Sequence, residues 1–288
     1  MTSHGLGRVG LWSTELRGAG RAEVRDAVAE LDELGWNTLW LPGLDGGGTL
    51  DDLGHLLAAA PHSRVVTGVL NIWGQSPATL SDRIAELDHT YGPRSVVGLG
   101  IGSPAGAAAH GREYGSPVAT MSHYLDELDP RIPVGRRLLG ALGPRMVDLA
   151  VARTAGWHPF LVTPDYVAAE RARVGGRAFI APHQAVVLET DPVRARAAAR
   201  AGVGMFLGFP TYRANLKRLG FGDDDLVPDG SDRLIDALVA HGTADDLARR
   251  IDEHLAAGAD HVAVHVLTDP AAHGLPRRVW RELASLNR

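Results

Sequence analysis

One unit recurs along this chain and limits its fold more than any single residue: an amphipathic helical stretch ends in glycine and runs at once into a short apolar strand. It appears as "AVAELDELGWNTLWLP" around Gly35, "MVDLAVARTAGWHPFLV" around Gly156 and "LARRIDEHLAAGADHVAVHVL" around Gly258. Glycine just past a helix end takes the left-handed conformation that closes the helix and shortens the path into the next strand. Between these units lie "RVVTGVLNIW", "SVVGLGIG" and "QAVVLET", rich in β-branched residues or glycine and each followed by a helical pattern. Strands are therefore predicted at Val9–Trp12, Thr38–Leu41, Val65–Leu70, Val96–Gly100, Leu138–Leu142, Pro159–Val162, Gln184–Leu188 and Val262–Val266. The intervening stretches carry apolar residues at helical spacing, for example Val28, Leu31 and Leu34, or Leu80, Ile84 and Leu87.

Eight strands alternating with helices predict an α/β fold of the (β/α)8 TIM-barrel type. A doubly wound open sheet is the nearest rival, and it ordinarily needs fewer strands. At 288 residues the chain suits the barrel, and no linker or low-complexity tract divides it, so residues 1–288 are read as one domain. One stretch is too long for a plain connection: about 203–242 is expected to be an insertion before the last helix and strand. It holds the acidic cluster Asp223 to Asp225 and a capped helix at "GSDRLIDALV". Insertions at the C-terminal face of a barrel commonly form lids.

Composition removes several chemistries. The chain has no cysteine, which excludes thiol nucleophiles, Cys-ligated zinc, iron–sulfur clusters and disulfides. A formal charge of −5 gives no general attraction to nucleic acid or anionic lipid. Lys217 is the sole lysine and thus the sole candidate for amine catalysis. "MTSHGLGRVGLW" lacks a signal-peptide pattern and no apolar run is long enough to span a bilayer, so a cytoplasmic location is expected.

In a barrel the strand C-termini carry the site. Trp12 to Glu15, Pro42 to Asp45, Asn71 to Trp73, Gly100 to Ser103 and Leu142 to Arg145 fall there. In "HVAVHV" the valines share one parity and His261, Ala263 and His265 the other, which turns His265 inward near the rim. Gly98, Gly100 and Gly102 leave little bulk where a flat ring could approach the backbone, although glycines also relieve crowding in barrel strands. The stretch "LLGALGPRMVDLA" leaves a strand through a bare corner at Gly143-Pro144 and starts a helix at once. Pro144 suits the first helical turn, and free N–H groups at such a corner can cradle an anion. Trp36, Trp40 and Trp157 flank strand starts and are expected to pack away from the site.

Neither a dinucleotide G-x-G-x-x-G opening a helix nor a P-loop is present, and no G-x-S-x-G supports serine catalysis. The 13 histidines include no H-E-x-x-H, and His261 and His265 stand too far apart on one strand to chelate easily, so no metal is expected.

The segments "GRVGLW", "ELGWNTLWLP", "TGVLNIW", "VVGLGIG", "ALGPRMVDLAVARTAGWHPFLVTP", "APHQAVVLETDP", "YRANLKRLGF" and "AGADHVAVHVL" together resemble the luciferase-like monooxygenase superfamily, in its branch of oxidoreductases that use coenzyme F420. The resemblance implies a barrel, commonly homodimeric, with a flavin-type ring across the strand C-termini. It implies a phosphate seat at Ala141, Leu142, Gly143 and Pro144, and a non-proline cis peptide near Thr67, Gly68 and Leu70. It also implies a ribityl chain beside Gly100, Gly102 and Ser103. Relatives often carry an acid or histidine just after the second strand, where this chain has Gly43; either nearby Asp45 compensates or proton transfer is done elsewhere. Relatives also tend to have an acid where His183 stands, a position read here as scaffold.

The resulting expectation is hydride transfer between coenzyme F420 and a small organic substrate. Trp12, Asn71, Trp73 and Asp45 would shape the substrate side, and His158 or His265 would donate a proton or orient the substrate. Arg213 and Lys217 would contact the coenzyme's anionic tail from the insertion. Two alternatives remain open at this point: an FMN-dependent monooxygenase, and a cofactor-free isomerase, cyclase or binding barrel, which Gly43 motivates.

Overall fold

The computed structural model describes residues 5–43, 47–269, 271–272 and 274–287. Its strands are β1 (Val9–Trp12), β2 (Thr38–Leu41), β3 (Arg64–Thr67), β4 (Leu70–Asn71), β5 (Ser95–Gly100), β6 (Arg137–Gly140), β7 (Gly156–His158), β8 (Phe179–Ile180), β9 (His183–Val187), β10 (Val239–His241) and β11 (Val262–Val266). All pair in parallel in the order β10-β9-β11-β1-β2-β3-β5-β6-β7-β8, with β4 on β5. The terminal strand β8 and β9, next to the other end, belong to one run, interrupted at Ala181-Pro182. Along it Phe179, Ala181 and His183 donate their N–H groups to the carbonyls of Ala155, Trp157 and Pro159, at 2.8, 3.0 and 2.9 Å. On the other side, Asp260 and Ala263 donate to the carbonyls of Ile180 and Pro182, each at 2.9 Å. The sheet therefore curls, its helices outside.

Side-chain alternation divides each strand between two environments. Leu39, Val65, Val97, Leu139, Val262 and Val264 face the helices and join Val28, Leu31, Leu80 and Ile84 in the main core. Trp12, Trp40, Val66, Val96, Leu138 and Ala263 share a second cluster on the inner face of the curl. Burying each large aliphatic contributes about 1.5–3 kcal/mol, so the parity of every strand is strongly fixed.

Several strand boundaries differ from expectation. The predicted Val65–Leu70 strand is split into β3 and β4 around a cis Gly68–Val69 peptide, inside the stretch where the resemblance placed one. The predicted Pro159–Val162 strand lies earlier, at Gly156–His158, where Leu138, Leu139 and Gly140 pair with it. Pro159 cannot donate to a ladder, and Leu161 has φ 53°. β6 stops at Gly140 because the next residues swing into the helix that Pro144 opens at its first turn. Gly35 and Gly258 do take positive φ, 84° and 104°. Gly156 does not: it is the first residue of β7, and a Cβ there would lie 1.8 Å from the Phe179 carbonyl oxygen.

The expected insertion is not a separate piece. Residue 203 lies inside a helix, Pro192–Leu207, followed by helices Pro210–Arg218 and Asp232–Leu238 and by β10. Ser231 caps the last of these by accepting from the Leu234 N–H, as expected. Val203, Leu207, Leu216, Phe221 and Leu234 pack with Ala185 and Val187 of β9 in their own cluster.

Candidate active site

Trp12, Asn71, Gly100, Gly140, His158 and Val266 end or nearly end their strands on one rim. Residues 67–71 fill much of it. The Thr67 hydroxyl donates to the Gly98 carbonyl at 2.8 Å and accepts from the Gly98 N–H at 2.9 Å. A Cβ at Gly98 would lie 2.1 Å from the Thr67 carbonyl oxygen, at Gly100 2.6 Å from Val69 Cγ2, and at Gly102 2.9 Å from Asn71 Nδ2. These glycines thus make room for the chain's own bulge. Asn71 accepts from the Trp73 N–H at 3.0 Å, capping the short turn that follows, and the Trp73 indole donates to the Ile101 carbonyl at 2.6 Å. Ser103 caps the next helix by accepting from the Gly106 N–H at 3.1 Å.

Gly43 has the same explanation. Its N–H donates to the Val69 carbonyl at 3.2 Å, and a Cβ there would stand 2.2 Å from that oxygen. No acid or histidine fits at this corner. Arg17 fixes it from outside, donating to the Pro42 and Gly43 carbonyls at 3.1 and 2.9 Å. Asp45 lies outside the described residues.

The inner rim opposite holds a histidine–aromatic cluster. His265 points inward as its parity predicts; its Nδ1 lies 3.1 Å from His183 Nε2, and its ring 4.3 Å from that of Trp12. Phe160, the second residue after β7, stacks on His183 at 3.8 Å and meets Trp12 at 5.5 Å. The Trp12 indole donates to the Gly68 carbonyl at 2.9 Å, tying cluster to bulge. His183 is therefore scaffold in the sense of holding His265, and it stands at the beginning of β9.

His158 ends β7 rather than preceding a strand. It is buried, stacks on Trp40 at 4.5 Å, and its Nδ1 donates to the Ala181 carbonyl at 2.7 Å. That bond leaves Nε2 as the unprotonated nitrogen, buried and without a partner. His158 is thus held by the Ala181 carbonyl, whereas His265 faces His183. Trp40 was expected to pack away; instead it donates to His261 Nε2 at 2.9 Å beneath the cluster. Burial lowers the pKa of His158 and His261 to about 4 and of His265 to about 3. Burial, then the neighbouring His265, pushes His183 well below its ordinary value. All four are neutral at pH 7.

At the corner after β6, Gly143 precedes a ten-residue helix (Pro144–Arg153) and supplies no side-chain cap. Among the described residues, the N–H groups of Leu142, Gly143 and Arg145 donate to no backbone carbonyl. The basic residues named from sequence are not the ones that reach this corner. Arg213 donates to the Leu226 carbonyl at 2.7 Å and Lys217 pairs with Asp223 at 2.8 Å, both within their own segment. Arg218 instead donates to the Leu142 carbonyl at 3.3 Å and to Asn215 Oδ1 at 3.0 Å. Asn215 is buried, and its Nδ2 has no partner. Helical spacing from Asn215 to Arg218 was the available signal, one turn on one face.

An α/β chain with a curled parallel sheet and a polar, aromatic-lined rim at its strand C-termini defines the class. Residues 7–129 match the family model for luciferase-like monooxygenase, which is similarity over part of the chain. A protein of Mycobacterium tuberculosis assigned provisionally as a coenzyme F420-dependent oxidoreductase is 24% identical over 282 residues, covering 80% of each chain. The F420-dependent tetrahydromethanopterin reductase of Methanopyrus kandleri superposes with a TM-score of 0.74 at 16% identity, over 96% of each chain. The oxygenating constituent of a Pseudomonas putida type II Baeyer–Villiger monooxygenase, in complex with FMN, superposes at 0.70 with 13% identity, over 98% of this chain and 97% of that one. Among the described residues, no group of three histidines or carboxylates is placed to hold a metal, and no helix is long and apolar enough to cross a membrane.

Proposed function

We propose that this chain is an F420-dependent oxidoreductase built on a full (β/α)8 barrel, with helix Pro210–Arg218 as part of a lid over the rim. One observation carries the reading: a helix start whose Leu142, Gly143 and Arg145 amides are unspent, with Arg218 and the unpartnered Asn215 amide beside it. Such a corner suits a phosphate on both counts, free N–H groups and a favourable helix dipole. A bound deazaflavin supplies hydride at C5, chemistry no side chain here provides. The protein's own part is to hold the anion at residues 142–145, to position the substrate against Trp12, and to exclude water. His265 holds or delivers a proton at its imidazole, with His183 fixing the ring's orientation.

The similarity to an FMN complex keeps an FMN-dependent monooxygenase as the second reading. The cofactor-free reading is less favoured, because the Val69 carbonyl gives Gly43 a steric reason of its own. A homodimer in the cytoplasm completes the proposal. Titration of the purified protein with F420 and, separately, FMN tests it: micromolar quenching of F420 fluorescence supports the first reading, yellow protein with bound FMN the second, and binding of neither overturns both. Size-exclusion chromatography with light scattering checks the dimer.

A further inference from the structure

We infer that the substrate of this site is an uncharged molecule with an aromatic body, seated on Phe160, Phe206 and Tyr212; this rests on the rim being the active site. The three rings form one group: Phe160 lies 4.9 Å from Phe206 and 6.1 Å from Tyr212, and Phe206 lies 5.7 Å from Tyr212. Phe209 continues it, 6.4 Å from Phe206 and 6.2 Å from Tyr212. The inner end touches the candidate chemistry, because Phe160 stacks on His183, which holds His265. The outer end reaches solvent, Phe209 being 42% exposed.

Phe160, Phe206 and Tyr212 are each only half-buried and pack on the edge of the cluster that holds Val203, Leu207 and Leu216. A partly exposed strip of aromatic rings running from solvent to a buried polar pair suits a small apolar ligand. The electrostatics select against charge. His158, His183 and His265 are neutral, and burial keeps the Tyr212 hydroxyl protonated by raising its pKa. No guanidinium lies over any of these rings among the described residues; the cation–ring contact recorded is Arg233 on Phe221. Arg213, on the same helix as Tyr212, is spent on the Leu226 carbonyl. A carboxylate or phosphate seated here would lose its hydration with no cation to replace it. A neutral carbonyl needs a single donor, and the Tyr212 hydroxyl has no partner among the described residues.

Calorimetric titration of the full chain at neutral pH with 2-acetonaphthone and 2-naphthoate, equal in ring size and different in charge, tests the inference. The expected result is ketone binding at least about tenfold tighter than carboxylate. Phe206→Ala and the bulk-retaining Phe160→Leu should each weaken the ketone about threefold to tenfold, the range of one aromatic contact. Equal or tighter naphthoate binding, no ketone binding with or without F420, or no effect of both variants overturns it. Ketone binding without F420 binding leaves this inference standing and removes the proposed cofactor instead.

Discussion

His183 Nε2 and His265 Nδ1 face each other at 3.1 Å inside the curl, one imidazole donating and the other accepting. Neither ring can be charged cheaply there, and His158, His254 and His261 share that condition, their values lowered to about 4, 3 and 4 chiefly by burial. The folded chain thus binds fewer protons than the unfolded chain wherever pH lies between these values and the ordinary histidine value near 6.5. Stability is then full above about pH 6.5 and falls as pH drops toward 4, by up to about 1.4 kcal/mol per pH unit for each histidine. Urea denaturation from pH 8 to pH 4.5 should show this slope, and His265→Gln should make it shallower by the share of one histidine. A flat profile would show that these rings are solvated.

Gly43 should tolerate no side chain. Its would-be Cβ meets the Val69 carbonyl, which is backbone and already accepts the Gly43 N–H. Gly43→Ala is expected to cost about 1–3 kcal/mol in chemical denaturation, the range of overpacking in a filled site. Gly135→Ala, with nothing within 4 Å, should change stability by less than about 0.5 kcal/mol. Equal stability of the two variants would mean that the corner is open and that an acid could stand there after all.

Period-2 and period-3.6 patterns made the architecture legible because burial of one face enforces them: β1, β2 and β11 fall where alternation placed them, and His265 turns inward with Ala263. What alternation could not carry is a backbone that leaves the regular path. The Gly68–Val69 bulge, the break at Ala181-Pro182 and the shift of β7 ahead of Pro159 depend on neighbours far along the chain. The glycines of "VVGLGIG" were readable as bare but not as occupied, since Thr67, Val69 and Asn71 supply the occupants. The same distance in sequence hid Arg218, whose partner Leu142 lies 76 residues away.

Arg218 should matter for anion affinity where Arg213 does not. Arg218→Ala removes the cation beside the 142–145 corner, while Arg213→Ala removes a bond to the Leu226 carbonyl. A hydrogen bond to a charged group contributes about 1.5–3 kcal/mol, so Arg218→Ala is expected to weaken F420 roughly tenfold or more. The loss should shrink in high salt. Equal effects of the two substitutions in fluorescence titration would remove Arg218 from the seat.

The stretch between helices Pro210–Arg218 and Asp232–Leu238 should open when Asp225 is neutralised. Asp225 accepts from the Ser231 hydroxyl at 2.8 Å, from Arg233 Nε at 3.0 Å and from the Gly222 N–H at 3.1 Å. These bonds, with Arg233 the largest cause, hold its carboxyl far below the ordinary aspartate value. An amide in its place accepts at one atom only and carries no charge for Arg233 to meet. Asp225→Asn should therefore speed chymotrypsin cleavage after Phe221 or Leu226 at neutral pH, and wild-type protein should show the same opening only in strong acid, where the carboxylate protonates and pepsin can read it. If the F420 affinity of Asp225→Asn stays unchanged while cleavage accelerates, the segment is held by its own knot and not by the anion. If both change together, the knot positions Asn215 and Arg218 over the corner.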